Sequence, residues 1–124
     1  MSGQESRLLG RWGEALAAEH LRRAGYQILA ANWRSRFGEI DLIAADQNYL
    51  CFVEVKLRKS ARFAEALEFV DLHKQERLRK TAAVFLATHE ELTKPARFDV
   101  IEVYAPQGIQ TVHPDVIHLE DAFE

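Results

Sequence analysis

Residues 38–56 read "GEIDLIAADQNYLCFVEVK". Two apolar runs, residues 39–45 and 49–57, flank the turn-forming "ADQN", and short runs bounded in this way read as β-strands. Among the apolar positions stand Glu39, Asp41, Glu54 and Lys56. A charge taken out of water is costly even after the protein relaxes around it, so it requires a partner, a metal ion or a pKa shift.

Side chains of a strand alternate between its faces. Glu39, Asp41 and Ile43 are therefore expected on one face of the first run, with Ile40, Leu42 and Ala44 on the other. On the second run Leu50, Phe52, Glu54 and Lys56 share a face, and Cys51, Val53, Val55 and Leu57 line the opposite one. Both faces are apolar until the last few positions, the mark of a central strand covered on two sides. The charges then stand at a rim or cleft where the sheet ends.

Upstream, residues 5–23 form a predicted helix. At the 3.6-residue period Trp12, Leu16 and Leu9 group together, followed by Gly13, Ala17, Gly10 and Leu21, with Arg7, Arg11 and Arg22 opposite. Glycine inside a helix is destabilising, so the small residues Gly10, Gly13 and Ala17 imply close approach to a neighbouring surface. Glu14 lies at the edge of that stripe. Gly25 stops the helix, residues 26–34 form the first strand, and "SRFG" is the turn into the next.

Downstream, residues 58–70 read as a loop with a short helical turn. Asp71 caps a helix that runs through Thr88 with Leu78, Ala82, Phe85 and Leu86 on one face. Residues 95–105 form a fourth strand and 108–114 a short fifth, and the tail docks through Ile117, Leu119 and Phe123. The order predicts an α/β fold, a mixed central sheet of about five strands flanked by helices, in a single domain over residues 1–124.

Composition sets outer bounds. The 124 residues are 48% apolar and 28% charged, ordinary for a soluble globular domain and enough for a core without staples. Cys51 is the single cysteine, so no intrachain disulfide forms, and its apolar surroundings make it a small buried hydrophobe rather than a nucleophile. The polar N-terminus carries no secretory signal and "AAVFLA" is too short to span a bilayer, so a cytoplasmic location is expected. The five histidines make no zinc pattern, and no phosphate loop, Rossmann fingerprint or G-x-S-x-G elbow occurs. The net charge is −3, yet residues 54–80 hold eight basic against five acidic residues. Attraction of a polyanion depends on that local field rather than on the total.

A divalent cation accounts for carboxylates in such a place. Magnesium and manganese take oxygen ligands, typically one or two carboxylates together with waters and phosphate oxygens. Asp41 and Glu54 are the candidate protein carboxylates, with the Val55 carbonyl as a third donor. Lys56 would position or deprotonate a water, or neutralise an attacked phosphate, and Glu39 or Glu14 would complete the shell or act as base. The competing reading is a structural ion pair of Lys56 with Glu54 or Asp41. Arg34, Arg36, Arg58, Lys59, Lys74 and Arg77 are candidates for a groove that holds a sugar–phosphate backbone. Trp33, Phe37 and Tyr49 either stack bases or pack in the core and hairpin. Arg97 beside Asp99 suggests a structural pair.

The blocks "GRWGEALAAEHLRRAGYQILAANWR", "GEIDLIA", "FVEVKLR" and "RFDVIEV" resemble, in order and spacing, the signature blocks of the small bacterial family UPF0102, or YraN-like proteins. That family is similar to the PD-(D/E)XK nucleases, especially Holliday-junction-resolvase-like members. The resemblance implies a restriction-endonuclease-like α-β-β-β-α-β core and a magnesium- or manganese-dependent nuclease site. Asp41, Glu54 and Lys56 take the catalytic positions, Glu14 matches a first-helix glutamate of the metal shell, and Ile40 stands where the superfamily's name has proline. Arg34, Lys74 and Arg77 match basic positions of the family blocks. The resemblance implies a nuclease-type site rather than a particular substrate; the expected substrate is DNA rather than RNA, branched or single-stranded, and cutting two strands would suit a homodimer. A non-catalytic nucleic-acid-binding module with the same fold is the alternative, and an assembly protein with a purely structural acidic cluster a third reading.

Overall fold

The computed structural model describes residues 3–59 and 70–124. Helix α1 (Gly3–Arg23) leads into β1 (Gln27–Ser35), β2 (Gly38–Ala45) and β3 (Leu50–Arg58). Helix α2 (Leu72–Thr88) follows, then β4 (Ala96–Tyr104), a 3-10 turn (Gly108–Gln110) and β5 (Asp115–Phe123). The five strands lie in chain order in one sheet. β1, β2 and β3 form an antiparallel meander, β4 runs parallel to β3, and β5 antiparallel to β4. Parallel neighbours require a crossover, and α2 lies within it.

Local sequence explains the element ends. Gly25 adopts φ 93°. Its N–H reaches Arg22 O at 3.0 Å and the Tyr26 N–H reaches Leu21 O at 2.9 Å, the Schellman pattern that turns a chain out of a helix. Asp46 Oδ1 accepts from the Asn48 and Tyr49 amides at 2.8 and 2.7 Å, closing the β2–β3 turn. Asp71 caps α2 by accepting the Lys74 N–H at 2.9 Å.

The sheet is covered on both faces. On one, Ala17, Ala18 and Leu21 of α1 pack over Leu42, Ala44, Cys51, Val53, Ile101 and Val103. On the other, Leu78, Ala82 and Phe85 of α2 pack over Ile43, Leu50, Phe52 and Val100. The alternation expected for β3 therefore holds. Burial pushes the Cys51 thiol up to about 12, aided by neighbouring Asp99, which fits an inert core residue.

Two expectations need correction. Residues 108–114 do not form the fifth strand: Gly108 has φ 60° and starts the 3-10 turn, and the strand is instead the tail, Asp115–Phe123. Its residues Ile117 and Leu119 are each 43% exposed, while Phe123 stacks on Phe98. In β2, Ile40 joins Ile43 on the α2 side instead of sharing a face with Leu42. The helical turn expected within residues 58–70 falls mostly outside the described residues.

Arg97 and Asp99 form the structural pair anticipated for them. Arg97 Nε and Nη2 donate to the two Asp99 oxygens at 2.9 Å each, and Nη2 also donates to Tyr26 Oη at 2.8 Å. His118 Nε2 and the Asp121 amide complete the shell of Asp99. Burial alone would raise the Asp99 carboxyl, and the hydrogen bonds from His118, Arg97 and Asp121 outweigh it and hold the group below its ordinary range.

The small-residue stripe of α1 divides in two. A Cβ on Gly13 would stand 2.8 Å from Leu57 Cδ2, whereas one on Gly10 would meet nothing within 4 Å. Gly13→Ala is therefore expected to destabilise by about 1–2 kcal/mol, overpacking outweighing the helix propensity gained. Gly10→Ala is expected to stabilise by up to about 1 kcal/mol. Urea unfolding of the two variants reads both signs.

Candidate active site at the β2–β3 fork

Hydrogen-bonded pairing of β2 with β3 runs from Ala45 opposite Leu50 to Leu42 opposite Val53, and stops there. One residue further on β2 and two further on β3, the Val55 N–H donates to Asp41 Oδ2 at 2.8 Å. A side-chain carboxylate thus takes the acceptor role that a backbone carbonyl fills elsewhere in the ladder, and the strands part. β3 continues beside β4 as far as Arg58 opposite Tyr104, while β2 stays with β1 as far as Gly38 opposite Ser35.

On β1 the residue across from this fork is Asn32, between the pairs Ala31–Leu42 and Trp33–Ile40. Asn32 has φ 52°, a left-handed conformation that asparagine tolerates better than most residues. This irregularity and the fork together break the strict alternation. Trp33 and Ile40 turn to the α2 side, where Trp33 meets the Phe85 ring edge-on at 5.2 Å.

The fork opens a cleft of about 280 Å³ lined by Gly38, Glu39, Asp41, Glu54, Lys74, Arg77 and Leu78. Asp41 and Glu54, from separate strands, face the same space. Glu54 is buried, and its Oε1 lies 2.6 Å from Lys74 Nζ on the first turn of α2. Burial and then the Glu54 charge push the Asp41 carboxyl up to about 7, and Glu14 adds to the rise. The Val55 hydrogen bond and the Lys74 ammonium oppose it without cancelling it.

Behind this pair stand two more glutamates. Asn32 Nδ2 donates to Glu14 Oε1 at 3.0 Å and to Glu39 Oε1 at 2.9 Å, linking α1 to β2 through β1. Arg34 Nε holds the other Glu39 oxygen at 3.1 Å. Among the described residues no three His, Cys, Asp or Glu side chains converge closely enough to form a ready-made metal cage. Of the three carboxylates in the cleft lining, Glu39 is held by Asn32 and Arg34, which leaves Asp41 and Glu54, the number typical for a magnesium ion that keeps waters and phosphate oxygens in its remaining positions.

Of the residues singled out from sequence, Asp41, Glu54, Glu39, Lys74 and Arg77 share this cleft. Glu14 lies beyond Asn32 in an adjoining recess with Arg34 and Glu39. Lys56 follows Glu54 by two residues on β3, about 7 Å along the strand, and is not in the cleft lining. Val55 meets Asp41 through its N–H. Arg58 does not face a groove: its Nε pairs with Glu102 at 3.2 Å, and the side chains are 9% and 11% exposed. Arg34, Arg36 and Lys59 are exposed, and the Arg36 guanidinium lies over the Phe37 ring. Tyr49 lies under Arg97. Sequence reasoning missed Asn32, whose only signal was an asparagine inside an apolar strand run, and the pairing of Lys74 with Glu54.

Asp41→Asn retains an oxygen for the Val55 amide and removes the charge. Unfolded Asp41 ionises near 3.8 and folded Asp41 near 7. Between these values the folded chain binds more protons, so stability falls as pH rises and the penalty is complete above pH 7. Asp41→Asn is thus expected to melt at least about 5 °C above wild type at pH 8, with the difference vanishing near pH 4. Thermal unfolding across that range measures it.

The family described as "Uncharacterised protein family UPF0102" matches residues 13–103, a span that includes Asp41, Glu54 and Lys56. The UPF0102 protein of Caldanaerobacter subterraneus subsp. tengcongensis is 41% identical over 123 residues, covering 99% of this chain and 100% of that one. Those of Rhodococcus opacus strain B4 and Stutzerimonas stutzeri strain A1501 are 43% and 41% identical, covering 93% and 97% of this chain and 95% and 98% of their own lengths. Similarity thus extends through both helices, the fork and the tail strand. The chain belongs to the UPF0102 family.

Proposed function

We propose that this protein is a divalent-metal-dependent nuclease that hydrolyses phosphodiester bonds in DNA, branched or single-stranded. The observation that carries the reading is the pairing of Asp41 and Glu54 in one cleft, with the Asp41 carboxyl driven up by burial and by its neighbour's charge. A protein that needed only stability would neutralise such a pair, and a cation of charge two relieves both carboxylates at once.

Asp41 and Glu54 would hold magnesium or manganese, and Glu14, Glu39 or the Val55 carbonyl would support the shell. The ion supplies Lewis acidity, making water more acidic and offsetting charge on a phosphate. The chain's own groups do the rest. Lys74, with 37% of its side chain exposed, can exchange Glu54 for a phosphate oxygen, and Arg77 one turn later on α2 borders the same space. Lys56 stands further along β3, where its ammonium can orient an attacking water or take up phosphate charge. Glu39, held by Asn32 and Arg34 at the edge of the cleft, would receive a proton.

The Lys74–Glu54 ion pair favours one second reading, a DNA-binding module without catalysis, because it already neutralises one carboxylate. Incubating the purified chain with linear, single-stranded, flapped and four-way DNA separates the two. Cleavage is expected with magnesium or manganese and none with EDTA. Glu54→Gln and Lys56→Ala are expected to lower the rate at least about 100-fold, with DNA affinity within a few-fold of wild type. DNA binding by wild type without cleavage of any substrate in either metal would leave the binding module.

A further inference from the structure

We propose that the N-terminal half of α1 is a second phosphate-binding subsite, formed by Arg7 and Arg11 with Arg34 of β1, which carries a nucleic-acid backbone away from the Asp41–Glu54 cleft. The inference rests on the nucleic-acid reading of that cleft and adds the direction in which the strand leaves it.

A recess of about 530 Å³ lies between α1 and the β1–β2 hairpin, lined by Arg7, Gly10 and Arg11 on one side and by Asn32, Arg34 and Glu39 on the other. Glu39 also lines the carboxylate cleft, so the two spaces adjoin. On α1 the spacing 7, 10, 11, 14 places its lining residues on one flank. This flank is distinct from the Gly13, Ala17 and Leu21 face that packs on the sheet. Gly10 leaves the floor open, since a Cβ there would touch nothing within 4 Å.

The electrostatics suit an anion. Arg7 and Arg11 are exposed and make no ion pair among the described residues. Three guanidiniums face two carboxylates, a local excess of one positive charge: Glu14 and Glu39 each accept from the neutral Asn32 amide, while Arg34 pairs with Glu39. Arg34 uses Nε for that contact, and a guanidinium has further donors in a planar fork that matches phosphate. One helical turn separates Arg7 from Arg11, about 6 Å along the axis. A strand advances about 3.4 Å per phosphate, so the two side chains match phosphates one or two steps apart.

The test uses two variants of the full chain, Arg7→Gln/Arg11→Gln and Gly10→Glu. The first removes two cations, and the second sets a carboxylate on the open floor where it meets no packing. Binding of a fluorescent 30-nucleotide DNA, as single strand and as duplex, is measured in EDTA from 50 to 300 mM NaCl. The arginine variant is expected to bind at least about tenfold more weakly at the lowest salt. Its log–log salt slope should be shallower by about 1.4–1.8, the release of two phosphate contacts. Gly10→Glu should also weaken binding. Unchanged affinity and slope in both variants would overturn the subsite even if wild type cleaves DNA. Wild-type binding with the expected loss in the variants, but no cleavage in magnesium or manganese, would keep the subsite and remove the nuclease reading. Failure of wild type to bind either DNA would overturn the subsite, and absence of cleavage in magnesium or manganese as well would overturn the nuclease reading.

Discussion

The hydrogen bond from the Val55 amide to Asp41 Oδ2 governs the geometry of this end of the sheet. Had β2 continued along β3, a carbonyl of β2 would have accepted that N–H and the two strands would have stayed in contact. A carboxylate in its place keeps the donor satisfied, as burial demands, and lets β2 depart toward β1. Everything in the cleft follows from that parting. Glu54 faces the α2 side, Asp41 accepts from Val55 across the parting, and α2 brings Lys74 and Arg77 over the gap. The arrangement is unfavourable for stability, because it leaves the half-buried Asp41 carboxyl close to the buried Glu54. Its persistence in an otherwise well-satisfied core is the physical reason to regard the fork as functional.

Much of this was legible in the sequence because it is local. The alternation of Leu50–Phe52 and Cys51–Val53 defines a two-sided strand, Gly25 a helix stop, and Asp71 a cap. The face exchange at Ile40 was not legible. Strict period-two reasoning assumes a continuous ladder, and here the ladder ends at Leu42 because a side chain substitutes for backbone. Arg58 misled for a related reason. It groups with the other basic residues as a candidate for the backbone groove, but its partner Glu102 lies on β4, forty-four residues away in sequence. No local pattern reveals such a pairing.

The tail strand shows the same limit at the opposite edge. β5 finds its register through Asp99, which accepts from His118 and from the Asp121 amide while Arg97 closes the network onto Tyr26. Asp121 itself has φ 51°, where the β4–β5 register shifts. A segment held by a buried carboxylate on its neighbour carries only a weak strand signal of its own. Reading "GIQTVHP" as the strand followed its β-branched residues and ignored the break imposed by Gly108 and Pro114. Two aspartates, Asp99 buried and Asp41 half-buried, thus organise the two halves of the sheet. Asp99 is fully compensated by donors and kept ionised, whereas Asp41 receives one amide and is pushed the other way. The same residue type serves as a rivet in one place and stands as a destabilised, upshifted carboxyl in the other, and the donors around it decide which.

Asn32 joins these considerations. Its left-handed backbone is a local strain that β1 would avoid by placing glycine there, yet glycine would lose the amide that holds Glu14 and Glu39. Without that amide the two glutamates would lose the donor that holds them side by side. Asparagine is the residue that both tolerates the conformation and supplies two N–H donors from one nitrogen. The strain at φ 52° is therefore coupled to charge management: a distorted strand position opposite the fork keeps four acidic side chains, from α1, β2 and β3, within one small region. Lys74 and Arg34 then bracket that region with positive charge. The carboxylates are thereby gathered without being fully neutralised, the state in which a cation or a phosphate can still change the balance.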